Sequence, residues 1–229
     1  MAKKVSNEED KRPKKEWSEG ELIRTFKLNR NVTTLTPLMQ EWLDVQPLVL
    51  NSHEQYSFDK NILKAQKRIS GWSEEDLKMN FISPVLELGK ITDDDDEIVG
   101  YFDKIISATV EDIKLTVKSD FMLAKGTLDF FETPYFHFQE YKPYKNPSGD
   151  SMAQLLEAFL IAQEKNKNEL PLYGVDIVAK YWSFVIMEGK DYCISTSFNS
   201  VDRADLLMII AILRKFKHIL ASRLLNAPN

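Results

Sequence analysis

The chain has 229 residues, 43% of them hydrophobic and 11% aromatic, and carries a formal net charge of −5 at pH 7. That length and apolar content suffice for one substantial core. The acidic balance argues against a protein that coats nucleic acid through bulk positive charge. No apolar run reaches the roughly 18 residues of a membrane span, and the single cysteine, Cys193, excludes an internal disulfide or a cysteine zinc site.

Residues 1–20 are polar, charged and unpatterned, with Lys3, Lys4, Lys11, Arg12, Lys14 and Lys15 and no apolar h-region. They read as a flexible basic tail, not a secretory signal, ahead of a single domain over 21–229. The expectation is a soluble cytoplasmic protein with no membrane contact. Leu35 to Leu43 reads as a short helix with Pro37 in its first turn, and Ser57 to Ile69 as a second. Ser73 is a good N-cap, backed by Glu74, Glu75 and Asp76. The helix it opens carries Leu77, Phe81, Val85 and Leu88 as an amphipathic stripe. Pro84 should kink or split that helix, and Gly89 suits its end. The acidic run Asp93–Glu97 has no calcium-loop spacing and reads as a solvated loop.

From Ile98 the pattern becomes β. Tyr101 to Val110 and Ile113 to Ala124 are strand-like runs joined at Glu111-Asp112, and Gly126 and Glu132-Thr133-Pro134 mark turns. The next strand, Phe136-His137-Phe138-Gln139-Glu140-Tyr141-Lys142, alternates apolar and polar residues. Its period of two puts Glu140 and Lys142 on one face with Phe136 and Phe138, and turns His137 away. Asn146-Pro147-Ser148-Gly149 breaks the chain. Asp150 or Ser151 then caps a helix with Met152, Leu155, Leu156 and Phe159 on one face. Leu172 to Ile186 reads as strand, Gly189-Lys190 as a turn, and Tyr192 to Ser197 as a further strand. A last helix follows Ser200, with Asp202 near its start, and runs to about Leu225. Its Leu206 to Leu213 segment serves either as core or as the surface of a homodimer. Arg203, Arg214, Lys215, Lys217 and Arg223 make this last segment locally basic. The order predicts an α/β protein with a mixed sheet flanked by helices.

Acidic-x-Lys triplets recur at Glu9–Lys11, Asp76–Lys78, Asp112–Lys114 and Glu188–Lys190, but only Glu140–Lys142 follows aromatic strand residues and precedes a turn and a helix. Asp120 lies as far before residue 130 as Glu140 lies after it, so an antiparallel pair would bring two carboxylates and an ammonium together. Oxygen ligands of that kind suit Mg²⁺ or Mn²⁺.

Asp120, then Glu140-Tyr141-Lys142, then a helix carrying Gln154 resembles the active site of the PD-(D/E)XK nuclease superfamily. The resemblance covers about residues 73–186, where the order α-β-β-β-α-β is that of the restriction-endonuclease-like core, with helical additions at both ends. Ser119 stands in place of the name-giving proline, and Asp129 in Leu128-Asp129-Phe130 is a second candidate for the upstream aspartate. The resemblance implies that Asp120, Glu140 and the backbone carbonyl of Tyr141 hold the metal and that Lys142 positions and helps deprotonate the attacking water. It gives accessory roles to Gln154 and to Glu87, on the preceding helix. The implied function is a metal-dependent nuclease acting on DNA more than RNA, with phosphates met by the last helix and the tail. Competing readings are a non-catalytic nucleic-acid-binding or assembly protein of the same fold, and a protein–protein interaction module.

Overall fold

The computed structural model describes residues 16–32, 34–91, 98–144 and 148–225. The tail to residue 15, the acidic run and the Asn146-Pro147 breaker lie outside the described residues.

Side-chain caps set most helix starts. Ser18 and Glu21 form a reciprocal capping box that opens α1 (Glu19–Phe26). This helix begins inside the stretch expected to be tail, and it buries Leu22 and Phe26. A short strand β1 (Asn29–Asn31) follows, then α2 (Pro37–Leu43), with Thr36 as cap and proline in the first turn. α3 (Ser52–Arg68) starts five residues before the expected Ser57, because Asn51 and Glu54 make another capping box. After a 3-10 turn (Ile69–Gly71), Ser73 caps α4 (Glu74–Leu77). The helix widens into a π turn (Lys78–Ile82) and continues as α5 (Ser83–Leu88). The widening falls just ahead of Pro84, whose missing N–H cannot continue the α-helical ladder. Leu77, Phe81, Val85 and Leu88 are all buried, so the stripe is continuous through the π turn.

β2 (Ile98–Val110) and β3 (Ile113–Thr127) form a hairpin. Its two turn residues, Glu111 and Asp112, have φ of 47° and 67°, the signature of a type I′ turn. β4 (Phe130–Lys142) follows, so the Glu132-Thr133-Pro134 segment lies within a strand and is not a turn. Asp150 caps α6 (Ser151–Asn166). The expected single strand Leu172 to Ile186 folds back on itself as β5 (Leu172–Val178) and β6 (Tyr181–Glu188), turning at Ala179, φ 57°. β7 (Asp191–Ile194) and β8 (Phe198–Asn199) precede α7 (Arg203–Ile219), which Asp202 caps and a π turn (Leu220–Leu224) extends.

The strands make one mixed eight-stranded sheet in the order β1-β7-β6-β5-β4-β3-β2, with β8 on β6. β4–β5 and β1–β7 are parallel and the other pairs antiparallel. The α6 crossover makes the parallel β4–β5 pair possible. One face packs on α6 and α1 through residues such as Phe26, Phe138, Leu155 and Phe159. The other packs on α2, α3, α5 and α7, with Trp42, Phe58, Phe81 and Phe216 in its core and Cys193 buried there. Trp42 lies edge-on to Tyr173 and Phe184 at 5.0 Å, and its indole N–H donates to the Ile212 carbonyl at 3.0 Å. Leu206, Ile209, Ile210, Ile212 and Leu213 are buried in the same core, which leaves α7 little apolar surface for a homodimer contact. Among the described residues, no helix is long and apolar enough to cross a membrane.

Candidate functional site

Where β3 meets β4, the pairing is set by irregularities. Thr127 pairs with Phe130 at the turn, and unbroken pairing from there would set His137 against Asp120. The register shifts around Ala124, and Phe121 instead pairs with Gln139. One step further on, Asp120 stands beside Glu140. The midpoint near residue 130 therefore gave the correct pairing although the turn lies earlier, at Leu128-Asp129, because bulges insert extra residues into β4. The same irregularity sends Phe136 into the α7-side core while Phe138 stays on the α6 side against Phe159. Only Phe138, not Phe136, shares a face with Glu140.

The ladder between the two strands ends at this point, and a side chain takes over. Asp120 Oδ2 accepts the Tyr141 N–H at 2.7 Å. On the other edge of β4, the Ala179 N–H donates to the Lys142 carbonyl. Backbone groups alternate along a strand, so Tyr141 turns its N–H and C=O toward β3 while Glu140 and Lys142 turn theirs toward β5. Glu140 is 1% exposed and Lys142 6%. Burial, and then the neighbouring Asp120 carboxylate, pushes Glu140 well above the usual carboxylate range. Burial also raises Asp120, against the lowering effect of the Tyr141 N–H; Glu74 raises it further, and Lys142 and Lys78 oppose it.

Two more carboxylates continue the row. Asp176 on β5 is in register with Glu140. Burial raises it, and the Ser151 hydroxyl at the start of α6 opposes the rise. Asp103 on β2 lies between the pairs Phe102–Phe121 and Lys104–Ser119, which places it opposite Asp120. Its φ is 57°, and the facing pattern of both strands changes phase here. Val99 and Tyr101 face α6, as do Ile106 and Val110; in β3, Val117 and Met122 both do. Asp103 binds the Lys78 ammonium through both oxygens at 2.9 Å and Lys118 at 2.6 Å. Burial raises its carboxyl, but these two lysines outweigh it and hold the group below its ordinary range. Lys142 Nζ is 4.0 Å from Glu74, in the first turn of α4.

Asp120, Glu140, Tyr141 and Lys142 are thus brought together. Glu87 is not with them. It is exposed near the end of α5, and the acidic helix residue that reaches the site is Glu74. Asp129 is exposed in the hairpin turn at the other end of β3. Gln154 lines a cavity of about 160 Å³ with Trp17, Val117, Gly149, Asp150 and Glu157, and its Oε1 is buried without a hydrogen-bond partner. His137 faces α7, with its ring 4.8 Å from Phe216, and burial holds it at a pKa of about 3. It ends a polar row on that face: Tyr141 Oη donates to Gln139 Oε1, and Gln139 Nε2 lies 3.0 Å from His137 Nε2.

Asp103 and Asp176 escaped the motif reading. A readable signal existed for Asp176, a lone carboxylate within the apolar run Val175-Asp176-Ile177. Asp103 is the one carboxylate of its strand-like run, but the adjoining Lys104 makes it read as an ordinary solvated charge pair.

A hard divalent cation takes oxygen donors. Asp120 and Glu140 supply two carboxylates, Glu140 Oε1 is buried without a hydrogen-bond partner, and the Tyr141 carbonyl turns toward β3 beside them. The donor type fits Mg²⁺ or Mn²⁺. Among the described residues, no group of three or more His, Cys, Asp or Glu side chains is arranged to hold a metal ion, so the fit rests on two carboxylates and main-chain oxygen. No protein-family model matches the chain, and no curated protein matches it.

Proposed function

We propose that the protein is a metal-dependent nuclease that hydrolyses phosphodiester bonds, in DNA more than RNA, with a PD-(D/E)XK-like core running from α4 to β6. The observation that carries this reading is the Asp120–Glu140 pair at the break between β3 and β4, with Lys142 two residues on. Asp120, Glu140 and the Tyr141 carbonyl are the residues that would hold Mg²⁺ or Mn²⁺. When bound there, the ion supplies a water of lowered pKa and offsets charge on the phosphate. Lys142 orients the attacking water and assists its deprotonation. Glu74 sets the position of the Lys142 ammonium from the other side.

The near-complete burial of Glu140 and Lys142 favours a second reading, a nucleic-acid-binding or assembly protein of the same architecture that does not cleave. Incubation with single- and double-stranded DNA and RNA in Mg²⁺ or Mn²⁺ separates the two. Cleavage by the wild type that is lost in folded Glu140→Ala and Lys142→Ala supports the nuclease. Absence of cleavage in every condition, or full activity in both variants, rejects it.

A further inference from the structure

The arginines of the last helical segment are already engaged. Arg203 pairs with Asp59 at 2.6 Å, Arg214 with Glu54 at 2.7 Å, and Arg223 with Glu41. Cations without a carboxylate partner gather instead on α3. Lys60, Lys64 and Lys67 recur at i, i+4 and i+7, so they share one side of the helix, and Arg68 follows. Among the described residues, none of the four has a carboxylate within ion-pair distance. Lys64, Lys67 and Arg68 line a groove of about 480 Å³ with Trp72, Asp76 and Asn80. Asp76, the one carboxylate there, accepts the Ser73 N–H and hydroxyl as part of the α4 cap.

The groove and the carboxylate site lie on opposite flanks of α4 and its π turn. Leu77 and Phe81 face the core, Asp76 and Asn80 line the groove, and Glu74 and Lys78 reach Lys142 and Asp103. A helix is about 10 Å across, so the groove lies about one helix diameter from the carboxylate site. Like charges at i, i+4 repel, and a polyanion relieves that repulsion while releasing its own counterions.

We infer that this groove, not the last helix, holds the phosphodiester backbone of a nucleic-acid strand. The inference rests on the nuclease reading for its direction, but binding tests it separately from cleavage. The probe is a fluorescent oligonucleotide, as single strand, as duplex and as RNA of the same sequence, titrated in EDTA. Lys67→Glu/Arg68→Glu should weaken binding by more than about tenfold and lower the salt slope by roughly 1.4–1.8, at about 0.7–0.9 per lost phosphate contact. Gly71→Glu adds an anion beside the groove where a Cβ meets nothing within 4 Å, and should weaken binding without disturbing the fold. Arg223→Ala should bind as the wild type does. The inference is overturned if the wild type binds none of the probes, if both groove variants bind unchanged, or if Arg223→Ala loses as much as they do. Groove-dependent binding without any cleavage in Mg²⁺ upholds the inference and rejects the nuclease.

Discussion

Asp120 accepts the Tyr141 N–H at 2.7 Å, so a carboxylate stands where the next rung of the β3–β4 ladder would otherwise form. The bond pins the backbone of the residue between Glu140 and Lys142. It also gives Asp120 a structural role that can be separated from its charge.

Asp120→Asn keeps an oxygen for the Tyr141 N–H and removes one charge from beside Glu140. It should be at least as stable as the wild type and have no nuclease activity. Asp120→Ala leaves a buried N–H without an acceptor and should lose about 1–3 kcal/mol. Urea unfolding of the two variants side by side checks the difference. Equal stabilities would mean that the hydrogen bond contributes nothing.

Glu140 has a pKa raised above its unfolded value by burial and by Asp120. The folded protein therefore binds more protons than the unfolded one between the ordinary carboxylate range and the raised value. Stability from this group is complete below that range and is lost as pH rises through the raised pKa. Asp103 has the opposite sign: its contribution is present above the ordinary range and lost as pH falls through its lowered pKa. Thermal melts across pH should show Glu140→Gln losing less stability on the alkaline side than the wild type. Parallel profiles would refute the assignment.

Tyr141→Phe removes the hydroxyl that donates to Gln139 Oε1 and leaves that buried amide oxygen unsatisfied. A loss of about 1–3 kcal/mol is expected in denaturant unfolding. Because the hydroxyl lies on the α7 face, away from Glu140, nucleic-acid binding should be unchanged.

Gly174 is the contact that seats α6 on β5. A Cβ there would meet Phe159 at 2.7 Å, Leu155 at 2.9 Å and the Phe138 carbonyl at 2.9 Å. Gly174→Ala should cost about 1–3 kcal/mol through overpacking, read as a lowered unfolding midpoint. An unchanged midpoint would show that α6 can shift freely.

Much of the chain was legible because its signals act between near neighbours. Ser73 caps the helix it was expected to cap, Asp150 is the cap of the pair Asp150 or Ser151, Asp202, expected near the start of the last helix, caps it, and Glu111-Asp112 turns the hairpin. These are bonds within a few residues, readable from spacing. The break at Ala179 was not legible, since Leu172 to Ile186 contains no glycine or proline at the turn and a non-glycine residue takes the positive φ.

Within the site, the sequence placed Asp120 and Glu140 at equal distances from residue 130. Counting from the actual turn, however, pairs Asp120 with His137, and only the bulges of β4 bring Glu140 and Lys142 beside it. Tertiary structure decided the rest. It chose Glu74 over Glu87, aligned Asp103 and Asp176 with the pair, and engaged the arginines of the last helical segment while leaving the cations of α3 without carboxylate partners. Which helix end reaches a strand, and which charges find partners, follow from how apolar faces such as those of Trp42, Phe81 and Phe216 are buried. That burial joins residues far apart in the chain, so no local spacing encodes it.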